Sequence, residues 1–322
     1  MVKDFISIAD ISRQEMEDLL AMSSELKERL ARGVSYKPLE GQTLALIFEK
    51  PSLRTRAAFE TGMFQVGGNS IYLTPEQIQL GVREDVEDIA RNLERWVDGI
   101  VARTFAHDTV VKLAQNSSKT VINGLTDKLH PCQIMSDLLT IKEHLGRVED
   151  FALAFVGDGN NVANSWINAV AKLEFSLRIA TPPGYEPDKE ILERAKLVAP
   201  GRVVVTHDPA EAVQDADAVY TDVWASMGQE DELEARKKVF AAYQVNGELL
   251  ENAKPGALVM HCLPAHRGEE ITSDVLDGPN SVVYDQAENR LHMQKAIMVT
   301  LMRKKKEERR KPPVIPLGKQ NV

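Results

Sequence analysis

The residues Ser52-Leu53-Arg54-Thr55-Arg56 form the stretch of this chain best suited to grip an anion. An apolar run ends just before Pro51 and Ser52, and Ser52 stands where a helix would begin, a place Ser favours as N-cap. The first N–H groups of a helix lack intrahelical partners and lie at the positive end of its dipole, so such a turn is a natural anion site. Arg54 and Arg56 add planar guanidiniums suited to bidentate phosphate contacts. The nucleotide pattern G-x-x-x-x-G-K-S/T is missing, so the expected anion is a small phosphate compound. Taken alone, the stretch also reads as a solvated helix start with two surface arginines.

Two further groups fall at similar places. Arg103 ends the apolar run Ile100–Ala102, and His130-Pro131-Cys132-Gln133 opens a helical stretch. In an open α/β sheet the carboxyl ends of the strands form the ligand crevice, which puts both beside the Ser52 turn. His130 is suited to donate to a carbonyl oxygen and Gln133 to bind an adjacent amide; the plain alternative for His130 is a structural turn before Pro131. In the second half, Asp222 precedes Ser226-Met227-Gly228, and His261-Cys262-Leu263-Pro264 follows another apolar run. Asp222 is a carboxylate placed to receive an amine. Cys262 is nucleophilic only if positive neighbours lower its pKa; otherwise it is an inert core thiol.

Positioning these groups calls for an α/β fold, and the length suggests about two domains, each a parallel sheet flanked by helices. Short apolar runs alternating with amphipathic helical runs favour that class. Strands are expected at Thr43–Glu49, Asn69–Thr74, Gly99–Thr104 and Thr120–Leu125, with helices at Arg54–Val66, Arg83–Trp96, Thr109–Asn116 and Gln133–Leu145, the last stopped by Gly146. A second series has strands at Phe151–Gly157, Ser176–Ala180, Arg202–Thr206, Ala218–Thr221, Ala257–His261 and Ser281–Asp285, and helices at Asn161–Leu173, Pro187–Val198 and Asp231–Tyr243. The domains are then 1–147 and 148–289. A last helix, about Arg290–Glu308 within a 290–322 segment, crosses back onto the first domain.

Composition bounds the function. The 322 residues contain 39 Lys plus Arg and 48 Asp plus Glu, a net charge of −9, with 43% hydrophobic and 27% charged residues. That is enough apolar content for a core and excludes a disordered chain. The acidic balance argues against a general nucleic-acid partner. No apolar run approaches the roughly 18 residues that span a bilayer, and the N-terminal segment lacks the features of a signal or transit peptide. Two distant cysteines, Cys132 and Cys262, read as free thiols in a reducing compartment, so a cytoplasmic protein is expected.

Together the Ser52–Arg56 turn, the His130–Gln133 segment, Asp222 with Ser226-Met227-Gly228, and the His261–Pro264 segment make the chain resemble the ornithine carbamoyltransferases of the aspartate/ornithine carbamoyltransferase superfamily. The resemblance runs from about Phe5 to the last helix. It implies a first domain for carbamoyl phosphate, a second for L-ornithine, the active site in the interdomain cleft, and formation of L-citrulline and phosphate, in arginine biosynthesis or the arginine deiminase pathway. By similarity, Ser52, Leu53, Arg54 and Thr55 hold the phosphate beside Arg103. His130 and Gln133 hold the carbamoyl group, with Pro131 and Cys132 in the same segment. Gln79 reaches that substrate from a neighbouring subunit, which implies a homotrimer or an assembly of trimers. Asn161, Asp222, Ser226 and Met227 bind ornithine, while Cys262, the carbonyl of Leu263 and Arg290 complete the site. Arg103, His130 and Cys262 carry the catalytic roles.

One departure is Leu53, where the commonest family turn has Thr. A backbone N–H serves whatever the side chain, so phosphate binding is expected to survive. Leu also stands there in relatives acting on N-acylated ornithines, but those lack the Ser-Met-Gly loop. Aspartate carbamoyltransferases differ at the His-Cys-Leu-Pro signature.

The implied reaction sets physical demands. The attacking δ-amine has an ordinary pKa of roughly 10, so the site must favour its neutral form. Asp222 and Cys262 are candidates for orienting it; Asp222 is equally placed to pair with the α-ammonium. Thr55, Arg103 and His130 would stabilise the tetrahedral oxyanion, a donor in comparable sites contributing about 3 kcal/mol. The leaving phosphate can take the proton. No metal or organic cofactor is called for, because the acyl donor is already activated, and domain closure is expected to exclude water.

Two other classes fit less of the sequence. Gly157-x-Gly159 after a strand is part of a dinucleotide fingerprint, but Val162 stands at the third glycine and no acidic residue ends the next strand, which runs into Ala180-Thr181-Pro182-Pro183. The basic run Arg303–Lys311 would suit nucleic acid or an acidic membrane, yet Glu307 and Glu308 interrupt it and it reads as a solvated helix end. His107, His144, His207, His266 and His292 show no metal spacing with the cysteines.

Overall fold

A computed structural model describes residues 2–225 and 232–303, and the structural statements below concern those residues. The first sheet has strands β1 (Thr43–Phe48), β2 (Asn69–Leu73), β3 (Gly99–Arg103) and β4 (Thr120–Leu125), all parallel, in the order β2-β1-β3-β4. The second has β5 (Ala152–Val156), β6 (Ser176–Ala180), β7 (Val203–Thr206), β8 (Ala218–Thr221) and β9 (Leu258–His261), also parallel, in the order β7-β6-β5-β8-β9. Runs such as Leu44–Phe48 are buried on both faces, as helix-covered parallel strands require.

The helices are α1 (Arg13–Ala31), α2 (Leu53–Gln65), α3 (Pro75–Ile78), α4 (Val86–Trp96), α5 (His107–Gln115), α6 (Pro131–Leu145), α7 (Asn161–Val170), α8 (Lys189–Val198), α9 (Pro209–Val213), α10 (Leu233–Phe240), α11 (Gly247–Leu250), α12 (Ser273–Leu276) and α13 (Val283–Met302). None of them is long and apolar enough to cross a membrane.

Strand order locates the crevice. The first chain direction, β1 to β2, reverses at β1/β3, and the second reverses at β5/β8. Ligands bind outside the carboxyl ends of strands at such switch points. Those four ends carry Lys50–Arg54, Arg103, Asp158–Asn161 and Asp222.

The last helix joins the halves. It leaves the second sheet where the Val282 N–H donates to the Val259 carbonyl, and it packs on α1, α2 and α6 of the first half. Met293, Ala296, Ile297, Met298 and Val299 along it are fully or almost fully buried.

Two expectations need correction. Ser281–Asp285 is not a strand: Ser281 makes an isolated bridge to Val259, and Val283 already starts α13. The β-branched Val282 and Val283 imitate a strand locally, but tertiary burial of both at the helix start overrides propensity. That helix therefore begins at Val283, not Arg290. The sequence reading also passed over α1, although Ser12 and Glu15 form a capping box at its start. The basic run beyond Arg303 lies outside the described residues.

Candidate active site

A cleft of about 970 Å³ lies between the two switch points. Ser52, Leu53, Arg54, Arg103, His130, Gln133, Asn161, Asp222, Cys262, Leu263 and Arg290 all line it. Each half contributes a wall, and α13 delivers Arg290 to the cleft.

Ser52 is the N-cap of α2, its hydroxyl accepting from the Thr55 N–H at 3.3 Å. Arg54 is half-buried and faces the cleft. Arg290 is buried, and its guanidinium donates to the Thr55 hydroxyl at 2.5 Å, fixing it against the same turn. Arg103, carried to the end of β3, is 5% exposed. Burial, and secondarily the Arg290 charge, draw its pKa down to about 10. Burial likewise lowers Arg54 and Arg290. Three guanidiniums in a poorly solvated pocket repel one another, and a doubly charged anion relieves that repulsion.

His130 and Gln133 sit at the start of α6, where Pro131 occupies the first helical position. The His130 imidazole is held well below its usual pKa by burial and by the charges of Arg290 and Arg103, so it is neutral. Among the described residues its Nδ1 has no partner. Helix α7 clasps this segment: the His130 N–H donates to the Ser165 hydroxyl at 2.8 Å, and the Asn161 amide donates to the Thr126 carbonyl at 2.6 Å.

On the opposite wall the Cys262 thiol donates to Asp222 Oδ1 at 3.0 Å, and the Asn160 amide donates to Oδ2 at 2.8 Å. Burial, followed by the Asp222 charge, pushes the thiol pKa well above its ordinary value. The positive neighbours do not prevail, so Cys262 is a neutral donor and not the thiolate nucleophile considered above. Leu263 adopts φ 58°, a left-handed conformation unfavourable for its side chain, and its N–H donates to His261 Nδ1 at 2.9 Å.

Several expected residues are not brought to the cleft. Cys132 is in the core of the first half, its thiol donating to the Asn123 carbonyl at 3.3 Å and its pKa pushed up to about 12 by burial. Pro131 and Thr55 are buried behind the lining, Thr55 acting through Arg290. Arg56 turns outward, paired with Glu60 at 3.0 Å and stacked 3.7 Å over the Tyr72 ring. Gln79 is exposed and does not line the cleft of its own chain. Ser226 and Met227 lie outside the described residues.

The sequence reading missed other lining groups. Lys50, its ammonium 3.8 Å above the Phe105 ring, faces the cleft. Asp158 pairs with Arg236 at 2.9 Å, and burial outweighs that pairing to raise its pKa to about 6. Asn160 caps α7 as well as holding Asp222; an Asn just before a helix was the available signal. Gly159 answers the dinucleotide alternative: a Cβ there would lie 2.3 Å from the Pro187 nitrogen, so the glycine serves packing against the 185–187 backbone. Asp222, His261 and Cys262 bring potential metal ligands within 4.8 Å of one another, as do His266, Glu269 and Glu270. In the first cluster, His261 Nε2 already meets Glu270 Oε1 at 3.1 Å and the thiol meets Asp222.

The fold and cleft together define a two-domain α/β protein in which a wall of arginines faces the Asp222–Cys262 pair across the cleft. The carbamoyl-P binding domain model of aspartate/ornithine carbamoyltransferases matches residues 3–143, and the Asp/Orn binding domain model matches 149–301. The chain belongs to the aspartate/ornithine carbamoyltransferase family. It is 54% identical over 302 residues to the ornithine carbamoyltransferase of Syntrophus aciditrophicus, covering 94% of this chain and all of that one, and 54% identical over 303 residues to that of Geobacillus stearothermophilus, covering 93% and 97%. The structure of ornithine carbamoyltransferase from Pyrococcus furiosus superposes with a TM-score of 0.90 at 48% identity, covering 93% of this chain and 96% of that one. An anabolic ornithine carbamoyltransferase from Campylobacter jejuni gives 0.88 at 36% identity, covering 93% and 99%.

Proposed function

We propose that this chain is an ornithine carbamoyltransferase, moving the carbamoyl group of carbamoyl phosphate to the δ-amine of L-ornithine. The observation that carries the reading is the convergence of Arg54, Arg103 and Arg290 opposite the Asp222–Cys262 pair in one cleft. The arginines and the free N–H groups at the start of α2 suit a phosphate dianion. Neutral His130 and Gln133 offer uncharged hydrogen bonding to the carbamoyl group beside it. The Asp222 carboxylate receives an ammonium or amine, with the thiol fixed as its donor. Attack builds an oxyanion among Arg103, His130 and the Thr55–Arg290 pair, and departing phosphate takes the proton. Holding both small substrates in one cleft supplies much of the rate by positioning.

In this reading residues 1–147, with the last helix packed on them, take the phosphate compound, and 148–289 take the amino acid together with Ser226 and Met227. Gln79, exposed on its own chain, serves the cleft of a neighbouring copy in a homotrimer or assembly of trimers. Two free thiols suit the cytoplasm. The reaction then serves arginine biosynthesis or the arginine deiminase pathway.

The test is a carbamoylation assay with ornithine, N-acetylornithine, putrescine and aspartate offered side by side. Ornithine should be used at least a hundredfold better than the others. Preference for another acceptor, or no transfer at all, would overturn the reading.

A further inference from the structure

Below the cleft floor, the buried carboxylate of Asp137 takes three donors. Gln133 Nε2 donates to Oδ1 at 2.8 Å, Gln286 Nε2 to the same oxygen at 3.0 Å, and the Tyr220 hydroxyl to Oδ2 at 3.0 Å. Asp137, Gln133 and Tyr220 are fully buried, and Gln286 is 1% exposed. The donors come from α6 itself, from β8 and from α13, so the carboxylate lies on the seam between the halves.

The orientation of every amide in this chain of contacts is fixed by chemistry. The backbone N–H of His261 can only donate, and it donates to Gln286 Oε1 at 2.9 Å. Gln286 must therefore turn its NH2 group to Asp137. An ionised carboxylate only accepts, so Gln133 must also turn its NH2 group to Asp137. That leaves Gln133 Oε1 as the atom without a partner among the described residues, buried in a residue that lines the cleft. A glutamine free to rotate would present donor and acceptor about equally, and half of its orientations would oppose a ligand NH2.

We propose that Asp137 is a positioning residue for the acyl donor: it holds Gln133 by Nε2 so that an acceptor alone meets the NH2 of the carbamoyl group. The relay begins at His261, next to Cys262, and passes through Gln286 and Asp137 to Gln133. The amide pocket of the first half is thus set in register with β9 of the second. A site fixed in this way discriminates against acyl phosphates that carry a methyl group where carbamoyl phosphate carries NH2, because the buried acceptor would then stay unpaired.

This inference rests on the proposed carbamoyl transfer, and the experiment separates the two. The variants Asp137→Ala and Asp137→Leu remove the acceptor; Leu also refills the space and removes a buried charge, a change folds often tolerate. Asp137→Asn keeps an oxygen that can accept from Gln133 and Gln286. Initial rates give KM for carbamoyl phosphate and for ornithine, and inorganic phosphate serves as a competitive inhibitor that needs the arginines but not Gln133. If wild-type protein forms no citrulline, the underlying reading fails. If it does, both acceptor-less variants should lose at least tenfold in kcat/KM for carbamoyl phosphate while Ki for phosphate and KM for ornithine stay within twofold. Asp137→Asn should recover most of that loss. Equal weakening of phosphate and carbamoyl phosphate, or no loss in the variant that folds, would overturn the positioning role. So would a loss as large in Asp137→Asn as in Asp137→Leu.

Discussion

The Cys262 thiol points its proton at Asp222 Oδ1, 3.0 Å away, which makes the pair a neutral donor and a charged acceptor rather than a thiolate beside a cation. Burial raises the thiol pKa first, and the Asp222 charge raises it further. The thiolate is the reactive form, so wild-type Cys262 should alkylate slowly with iodoacetamide at pH 8, well below the rate of free cysteine. Asp222→Asn removes the negative charge and should speed that reaction severalfold, while weakening ornithine use. A wild-type thiol as fast as free cysteine would contradict the assignment, and mass spectrometry of the labelled peptide reports it directly.

His130 gives a pH dependence with a definite sign. Its folded pKa lies well below the ordinary value near 6.5, the first cause being burial. The unfolded chain then binds a proton that the folded chain refuses. Stability from this residue is complete above about pH 6.5 and is lost as pH falls toward the depressed folded value. His130→Gln keeps a hydrogen-bonding side chain without the titration. Thermal unfolding should show wild type losing Tm relative to His130→Gln between pH 6.5 and 5, with the difference flat from pH 7 to 8. A constant difference across the range would mean the imidazole is not held neutral.

Much of this site was legible because its residues follow strands. Ser52, Arg103, Asp222 and Cys262 all come just after apolar runs or at their ends, and parallel sheets gather such positions on one edge. The strands Thr120–Leu125, Ser176–Ala180 and Ala218–Thr221 have the expected boundaries. What escaped was set by tertiary contact. Asp137 lies one turn after Gln133 inside a helix, and nothing local says that Tyr220 and Gln286 converge on it. Arg56 looks equivalent to Arg54 in sequence, yet helical rotation turns one to the cleft and the other to Tyr72. Cys132 adjoins a lining residue but faces the core. Val282 and Val283 read as strand because burial, not propensity, decides their conformation.

Asp137 should cost stability where it serves function. Burial raises its pKa from about 4 to about 6, and its three hydrogen bonds do not fully offset that cost. A raised folded pKa favours the fold at low pH and loses that advantage as pH rises through 6. Above pH 7 the buried, ionised carboxylate is therefore a net cost to the fold. Asp137→Asn does not titrate. Its Tm should gain on wild type between pH 4 and 6 and hold that gain above pH 7, even though catalysis does not improve. A gain that shrinks as pH rises would reverse the sign and refute the account.

Gly159 ties packing to the Asp222 side of the cleft. Its N–H donates to the Tyr185 carbonyl at 2.9 Å, and an added Cβ would lie 2.5 Å from that oxygen and 2.3 Å from the Pro187 nitrogen. These are backbone atoms that cannot swing aside, so Gly159→Ala must move one chain segment away from the other. Overpacking of this kind costs about 1–3 kcal/mol. The movement begins between Asp158, held by Arg236, and Asn160, held to Asp222. It therefore disturbs the second half before the first. The expected result is a lower Tm and a severalfold higher KM for ornithine, with inhibition by inorganic phosphate unchanged because the Ser52 turn and its arginines stand on other elements. Were the glycine instead a dinucleotide contact, the variant would lose affinity for NADH; fluorescence titration should find no saturable NADH binding in either protein. Wild-type Tm and ornithine KM in Gly159→Ala would show that the 185–187 segment yields freely, and the packing argument would fail.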